Sequence, residues 1–478
     1  MAGTGTLTSY STAFRTLGSG WTYLMTDGTI LHNPVATTTW VRWTPGPDGN
    51  YANGTWANAA TSNYTYEYQM SVVFANGKLL MNASEYPSTL QCEIFDPVAN
   101  GWTICSPFET GDIAGIVLPN NTCWAGGTGK TSAITAESPI NWVTQTPCPY
   151  GMDEISMALM PDGSIFCVLP DSGAPFNISN GGASSSGRSL RYYSNTNTWV
   201  ECGAPSNQIV YRSLGQVGPA ALMPNGSVFV VSGYANGGTA IWTPDGTTSG
   251  PGTWTDCPVI PNGAWCAQGP AAVLPNGHLL FTAGTLSVDG GFASDSSLYE
   301  WDGTSITIVP YNEGGFGVTF GIGLLNLPNG QCLVTEPGGW WLYTPAALPQ
   351  TSPPLIATAP TTVLLGGTYT ISGQLFNGLT AGSNAGSFYQ NATNYPLVSL
   401  SSNGKTYYCR THDHSTMGVA TGTQTVSTNF DVPGTLSAGI YSLRVIANGI
   451  ASAPVSINVG ATNLTTHAAR RLRITSYN

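Results

Sequence analysis

The chain has 478 residues, enough for more than one domain, with 59 glycines and 33 prolines against only 8% charged residues, which excludes a mainly helical protein, because helix surfaces need Glu, Lys and Arg. A net charge of −11, with lysine only at Lys78, Lys130 and Lys405, excludes a broad basic surface for nucleic acid or anionic lipid. No apolar run reaches the ~18 residues of a membrane span, and Met1-Ala2-Gly3-Thr4-Gly5 has neither a basic nor an apolar signal region, so the chain as given is expected to carry no signal peptide and to make no membrane insertion.

Taken in order, Thr6-Leu7-Thr8-Ser9-Tyr10 reads as a lone strand. From Trp21 a unit then recurs. Two apolar strands are joined by a turn in which proline presets φ and Asn-Gly supplies the positive φ of a tight hairpin. The turn is clearest at Leu222-Met223-Pro224-Asn225-Gly226-Ser227-Val228-Phe229 and returns at Pro161-Asp162-Gly163, Pro275-Asn276-Gly277 and Pro328-Asn329-Gly330. Looser copies stand at Asp27-Gly28, Asn76-Gly77 and Pro119-Asn120-Asn121. A third strand bearing an aromatic (Phe95, Tyr193, Trp242) and a fourth opened by Trp (Trp102, Trp142, Trp199, Trp254) complete a four-stranded meander. Turns at 28, 77, 121, 163, 226, 277 and 330 lie 42 to 63 residues apart, the spacing of propeller blades with loop insertions. Seven such units close a ring. The seventh has no Trp-opened fourth strand before Pro345, and the lone N-terminal strand is expected to fill that place.

From about Thr351 the repeat gives way to short alternating strands at Thr368 to Ile371, Leu397 to Leu400, Ser427 to Phe430, Tyr441 to Ile446 and Val455 to Ile457, the pattern of an immunoglobulin-like sandwich. The expected division is a seven-bladed propeller over residues 1–350, an immunoglobulin-like domain over 351–460 and a tail, 461–478, with Arg470, Arg471 and Arg473. The fold class is all-β.

Few motifs carry chemistry. Gly126 to Thr131 resembles the end of a phosphate loop, but Trp124 stands where a glycine is needed and no helix pattern follows. Cys92 and Cys105 face each other across a hairpin symmetric about its turn, which suits a disulfide if they form a non-hydrogen-bonded pair; Cys257 and Cys266 flank a short loop and are a second candidate pair. Ten cysteines on a Ser/Thr/Asn-rich, lysine-poor chain suggest an extracellular, cell-surface or particle-associated setting. Eight Asn-x-Ser/Thr sequons, among them Asn63, Asn82, Asn120 and Asn225, are glycan acceptors only if exposed. In Tyr407 to Met417, His412 and His414 stand at i and i+2 of an expected strand and share one face with Tyr408 nearby, a candidate binding region; His412 is the one weak metal candidate, since no third ligand is evident.

Seven kelch-like blades followed by an immunoglobulin-like domain with a Thr-His strand resemble galactose oxidase and the glyoxal-oxidase-like copper radical oxidases. His414 to Val419, reading His-Ser-Thr-Met-Gly-Val, is similar to bacterial kelch-motif proteins. The resemblance implies a copper held by two Tyr and two His, with a Cys thioether-linked to one Tyr. It places His412 at the histidine that the second domain inserts toward the propeller axis. The Tyr-His doublet falls on Phe320-Gly321, and the cross-linked Tyr falls where Val217, Glu154 or Gln268 stand; Tyr211 and Tyr150 are out of register. The expected protein is therefore a non-catalytic recognition or structural component with no cofactor and no catalytic residues, binding glycan or protein partners that include copies of itself or other particle components. The alternative is a copper radical oxidoreductase acting on alcohols or aldehydes.

Overall fold

A computed structural model describes residues 4–9, 20–66, 70–82, 90–109, 115–127, 129–152, 154–170, 187–211, 215–247, 250–288, 292–311, 315–346, 352–380, 384–385 and 394–461. The arginines expected in the tail and the sequons at Asn177, Asn391 and Asn463 lie outside these residues. The fold is all-β, and its larger part is a seven-bladed propeller. Six blades are four-stranded meanders over residues 20–58, 70–104, 116–144, 156–203, 220–259 and 271–308. The seventh takes three strands from residues 323–344, and Thr6–Ser9 supplies the fourth, pairing antiparallel with Gly339–Thr344 so that Leu7 faces Tyr343.

The hairpin turns are held the same way in every blade. The side-chain oxygen of Asp27, Asn76, Asn120, Asp162, Asn225, Asn276 or Asn329 accepts the backbone N–H two residues on, at 2.9 to 3.2 Å. The next residue is in the left-handed region, at φ 84° for Gly226 and 63° for Asn121, the one non-glycine. An Asx residue thus serves twice, as acceptor and as the neighbour of a left-handed position.

Neighbouring blades are stapled by the fourth-strand tryptophans. Nε1 of Trp102 donates to the carbonyl of Ala60 at 2.9 Å, Trp142 to Ser106 at 3.0 Å, Trp199 to Thr146 at 3.0 Å and Trp254 to Cys202 at 2.9 Å. Each ring therefore satisfies its N–H on the chain of the preceding blade; Trp102 and Trp199 pack on Phe95 and Tyr192 of their own third strands, and Trp142 and Trp254 on Phe108 and Phe166 of the preceding side. The aromatic directly opposite Trp199 is Tyr192, where Tyr193 is its neighbour. In the sixth blade Ile306 stands opposite Trp301, and the staple is absent.

At the ring closure the N–H of Gly5 donates to the Tyr343 hydroxyl at 2.7 Å and to Glu300 Oε2 at 3.3 Å. Tyr343 also donates to Glu300, whose other oxygen meets His278 Nδ1 at 2.6 Å. Burial first, and the hydrogen bond to Glu300 second, push the Tyr343 phenol well above its ordinary value, so it stays a donor. A Cβ on Gly5 would lie 2.2 Å from the Thr344 carbonyl, so no other residue fits there.

Cys92 and Cys105 are joined by a disulfide with Cα atoms 5.1 Å apart. The expected phase was the other one: the N–H of Cys105 donates to the Cys92 carbonyl at 2.9 Å, so the bridge ends the ladder at a hydrogen-bonded position. Cys257 and Cys266 carry free thiols and do not pair, because Cys266 is buried in the core of the fifth and sixth blades while the Cys257 thiol points back along its own rim strand to the Thr255 carbonyl.

Residues 355–460 form a sandwich-like second part around Val363, Ile371, Leu400, Phe430, Leu443 and Ile457. Its strand Lys405–His412 changes partners midway, pairing with Leu397–Ser402 up to Cys409 and with Val426–Asp431 from Arg410. This part sits on the hairpin turns, hydrogen-bonded at the first three blades and packed through Gly449 and Ala447 against Pro224, Pro275 and Gly330 of the later ones. The N–H of Thr411 donates to Thr26 O at 3.0 Å, Arg410 to Asn76 O at 2.9 Å, Asn121 to His414 O at 3.0 Å and Thr416 to Pro119 O at 2.8 Å. His414 is 2% exposed, with Nδ1 on the Thr428 hydroxyl at 2.8 Å. Burial above all, then the nearby His412, lowers its pKa to about 3.

Two outcomes are expected. Removing residues 1–9, or replacing Glu300 by Ala, leaves buried groups unpaired at the closure and should lower Tm by about 3 °C, the shift that a loss of about 2 kcal/mol gives in a propeller of this size; thermal unfolding checks it. For His414 the folded pKa lies below the ordinary 6.5, so the unfolded chain binds the extra proton first and stability is lost as pH falls from about 6.5 toward 3. His414→Gln should unfold with a shallower Tm loss over that window than the parent chain, in melts taken at pH 7, 5.5 and 4.

Candidate functional site

The Asx-Gly turns occupy one face of the propeller, and the second part covers that face, at the first three blades through hydrogen bonds and at the fifth to seventh through Gly378, Ala447 and Gly449 beside Pro224, Pro275 and Gly330. The opposite face, where the innermost strands begin, is where loops can meet a ligand at the axis. Glu154, Val217, Gln268 and Gly321 occupy one ring position there, seven residues before the turn residues Pro161, Pro224, Pro275 and Pro328. Two of these are strained: Glu154 lies at φ 55° and Gln268 at φ 50°, a conformation that non-glycine residues rarely hold without a use for it. Gln216 Nε2 donates to Glu154 Oε2 at 2.8 Å, and the Gln268 N–H donates to Val217 O at 2.9 Å, so the fourth, fifth and sixth blades are tied at the mouth. Gln268 is 1% exposed, and its Nε2 is buried with no protein partner, as is the Ser156 hydroxyl. Buried amide and hydroxyl groups left open are where a ligand or water gains most.

Loops around this mouth carry aromatics. Tyr211 and Tyr234 meet edge to face at 5.3 Å, and Phe292 and Phe320 at 4.7 Å. Phe292 packs on Trp265, Ala267 and Ala293. Glu336 accepts the N–H of Gly317 at 3.0 Å, and burial raises its carboxyl above the usual range.

The second part does reach the axis, but not with His412. Asn384–Ala385 forms a two-residue strand between the inner strands of the fourth and fifth blades, pairing with Ser156 and Met157 on one side and Ala220 on the other. His412 instead ends its own strand at the far side of the propeller, with Nδ1 on Asp413 at 2.7 Å and Nε2 on Asp431 at 3.2 Å. Hydrogen bonds from Thr368, Arg410 and His412 outweigh the effect of burial and hold Asp431 below the ordinary carboxylate range. The expected shared face of His412 and His414 does not form, because Asp413 turns the chain at φ 52° and sends His414 inward. Tyr408 lies over the first-blade turn, where a Cβ on Gly28 would sit 2.6 Å from its ring, so Tyr408, His412 and His414 belong to the seam between the two parts and not to an open site. Lys130 reaches the Pro149 carbonyl at 2.6 Å, and a strand follows where a phosphate loop would need a helix. Asn82 is buried and donates to Phe108 O at 2.9 Å, and Asn63 donates to Glu93 at 2.7 Å; neither amide is free to carry a glycan.

The axial set was visible in the sequence only as replacements. The signal for Gln268 and Glu154 was their ring position before the turn; their left-handed conformation and the inserted Asn384–Ala385 strand had no signal.

Among the described residues no group of three or more His, Cys, Asp or Glu could hold a metal ion. A set of two Tyr and two His does not fit at the mouth: Phe320 turns a hydrocarbon ring to Phe292, Val217 offers no lone pair, and the described histidines are His32 against Trp340, His278 on Glu300, and His412 and His414 in the seam.

No family model matches the chain, and no curated protein matches it. Among solved structures it is similar to a fungal alcohol oxidase of the AA5 family, in complex with copper, at 12% identity and a TM-score of 0.54, over 96% of this chain and 99% of that one. It is also similar to streptogramin B lyase, at 11% identity and a TM-score of 0.47 over 72% of this chain and 98% of that one. A functionally unknown protein from Desulfotomaculum acetoxidans follows at 11% identity and 0.41, over 63% and 88%. The chain therefore shares its fold, over nearly its whole length, with a copper alcohol oxidase.

Proposed function

We propose that this chain is a non-catalytic recognition protein on an oxidase-like scaffold, meeting a glycan or a protein partner with the loops of its open face. The observation that carries this reading is the axial ring: Glu154, Val217, Gln268 and the Phe320-Gly321 pair stand where the resemblance implies copper ligands. Polar groups beside partly exposed aromatic rings suit hydroxyl-rich or peptide ligands that are held and not turned over. Cys92–Cys105 supports an extracellular, surface or particle setting, because such bonds persist in oxidising compartments. We take residues 1–350 as the propeller, 351–460 as the immunoglobulin-like domain and 461–478 as a tail.

A second reading is favoured by the likeness to the fungal alcohol oxidase, which taken alone speaks for it more than for the first: a copper oxidoreductase acting on alcohols or aldehydes. It requires a donor set that the described residues do not assemble, since copper needs about four N, O or S donors.

A peroxide-coupled assay of copper-treated protein over primary alcohols, galactose and small aldehydes decides between them. The recognition reading expects no turnover above copper in buffer. Turnover that requires the protein and is lost in Tyr211→Phe or Tyr234→Phe would replace it with the oxidoreductase.

A further inference from the structure

We propose that a groove on the rim between the fifth and sixth blades is a binding site for a neutral saccharide. The groove encloses about 490 Å³, within the size range of small-ligand clefts. Its floor is one face of the strand Ala293–Trp301, where the alternate residues Asp295, Ser297 and Tyr299 all line it. Asn262 and Thr285 form one wall, and Ile308, Pro310 and Tyr311 the other.

The groove follows from how this blade is built. Its third strand has 9 residues and its outermost strand, Ile306–Ile308, only 3. The N–H of Val309 still donates to Leu298 O at 2.8 Å; the chain then leaves at Pro310 and is back on the strand at Phe316, which exchanges bonds of 2.7 and 2.8 Å with Ser296. Between these anchors no described residue pairs with the outer side of the third strand. This junction is also one without a tryptophan staple, because Ile306 stands at that position.

The lining is preorganised. Asp295 is held at φ 51° and Asn262 at φ 63°, both left-handed. A Cβ on Gly315 would lie 2.4 Å from Asp295 Oδ1, so glycine there makes room for the carboxylate. Asn262 lines the groove beside Tyr299, and the Tyr311 ring is fixed by parallel stacking on Phe316 at 4.8 Å. One acceptor-only carboxylate, an amide, two aliphatic hydroxyls and two tyrosines recognise vicinal hydroxyls and a sugar's C–H face. Among the described residues no lysine or arginine lines the groove, so no cationic side chain there offsets an anion's charge.

This site deepens the recognition reading and rests on it only in that the sugar is held and released unchanged. Saturation-transfer NMR and calorimetry on the full chain, with galactose, glucose, mannose, N-acetylglucosamine, lactose, cellobiose and, as a cation, putrescine, test it. We expect saturable binding of at least one sugar, weakened about tenfold or more in both Asp295→Ala and Ser297→Phe at unchanged Tm, and unaltered in Val98→Ser, an exposed change on the second blade. No binding by any sugar, sugar binding untouched by both groove variants, or putrescine binding in place of sugar would overturn the proposal. Copper-dependent peroxide release from a bound sugar would leave the groove standing and sink the recognition reading.

Discussion

A ring of sheets is stable only if its last edge is covered, and here four residues cover it. Thr6–Ser9 completes the seventh blade, and the buried Glu300 joins Gly5, Tyr343 and His278 across the sixth blade, the seventh and the N-terminus. Closure pairs the strand Gly339–Thr344 on both sides and leaves only the four-residue strand Thr6–Ser9 at the outer edge. It also fixes which way every blade points. The turns that start each hairpin gather on one face, where the second part sits on Thr26, Asn76 and Pro119, and the beginnings of the inner strands gather on the other. The axial positions of Glu154 and Gln268 and the groove on the sixth blade both depend on that orientation.

Much of this was written in local patterns. Seven Asx turns, a last unit short of one strand and a spare strand at the N-terminus are visible residue by residue, because each is set by near neighbours in sequence. The tryptophan staple is half visible: the indole can be read, but its acceptor lies in the preceding blade, some 36 to 53 residues away. What misled was long-range or turned on one backbone angle. Asp413 in a left-handed conformation separates His412 from His414. The strand that reaches the axis, Asn384–Ala385, lies in a polar stretch with no alternating pattern, and its partners are Met157 and Ala220. The groove depends on where the outer strand of the sixth blade stops, which Pro310 hints at but does not locate.

The fold shared with a copper alcohol oxidase and the residues at the axis point in different directions. A fold supplies positions, and chemistry comes from what occupies them. At the ring positions this chain places a carboxylate, an amide, a valine and a phenylalanine beside glycine. Those residues can grip a hydroxyl or an amide through hydrogen bonds, and Phe320 with Phe292 can cover an apolar face. They lack the imidazole and phenolate donors that a redox copper would need together.

The most direct measurement is the copper content of the protein after loading and desalting, by elemental analysis with electron paramagnetic resonance on the same sample. The account predicts no stoichiometric copper and no protein-bound Cu(II) signal. One copper per chain, with nitrogen hyperfine structure showing coordinated histidine, would contradict it.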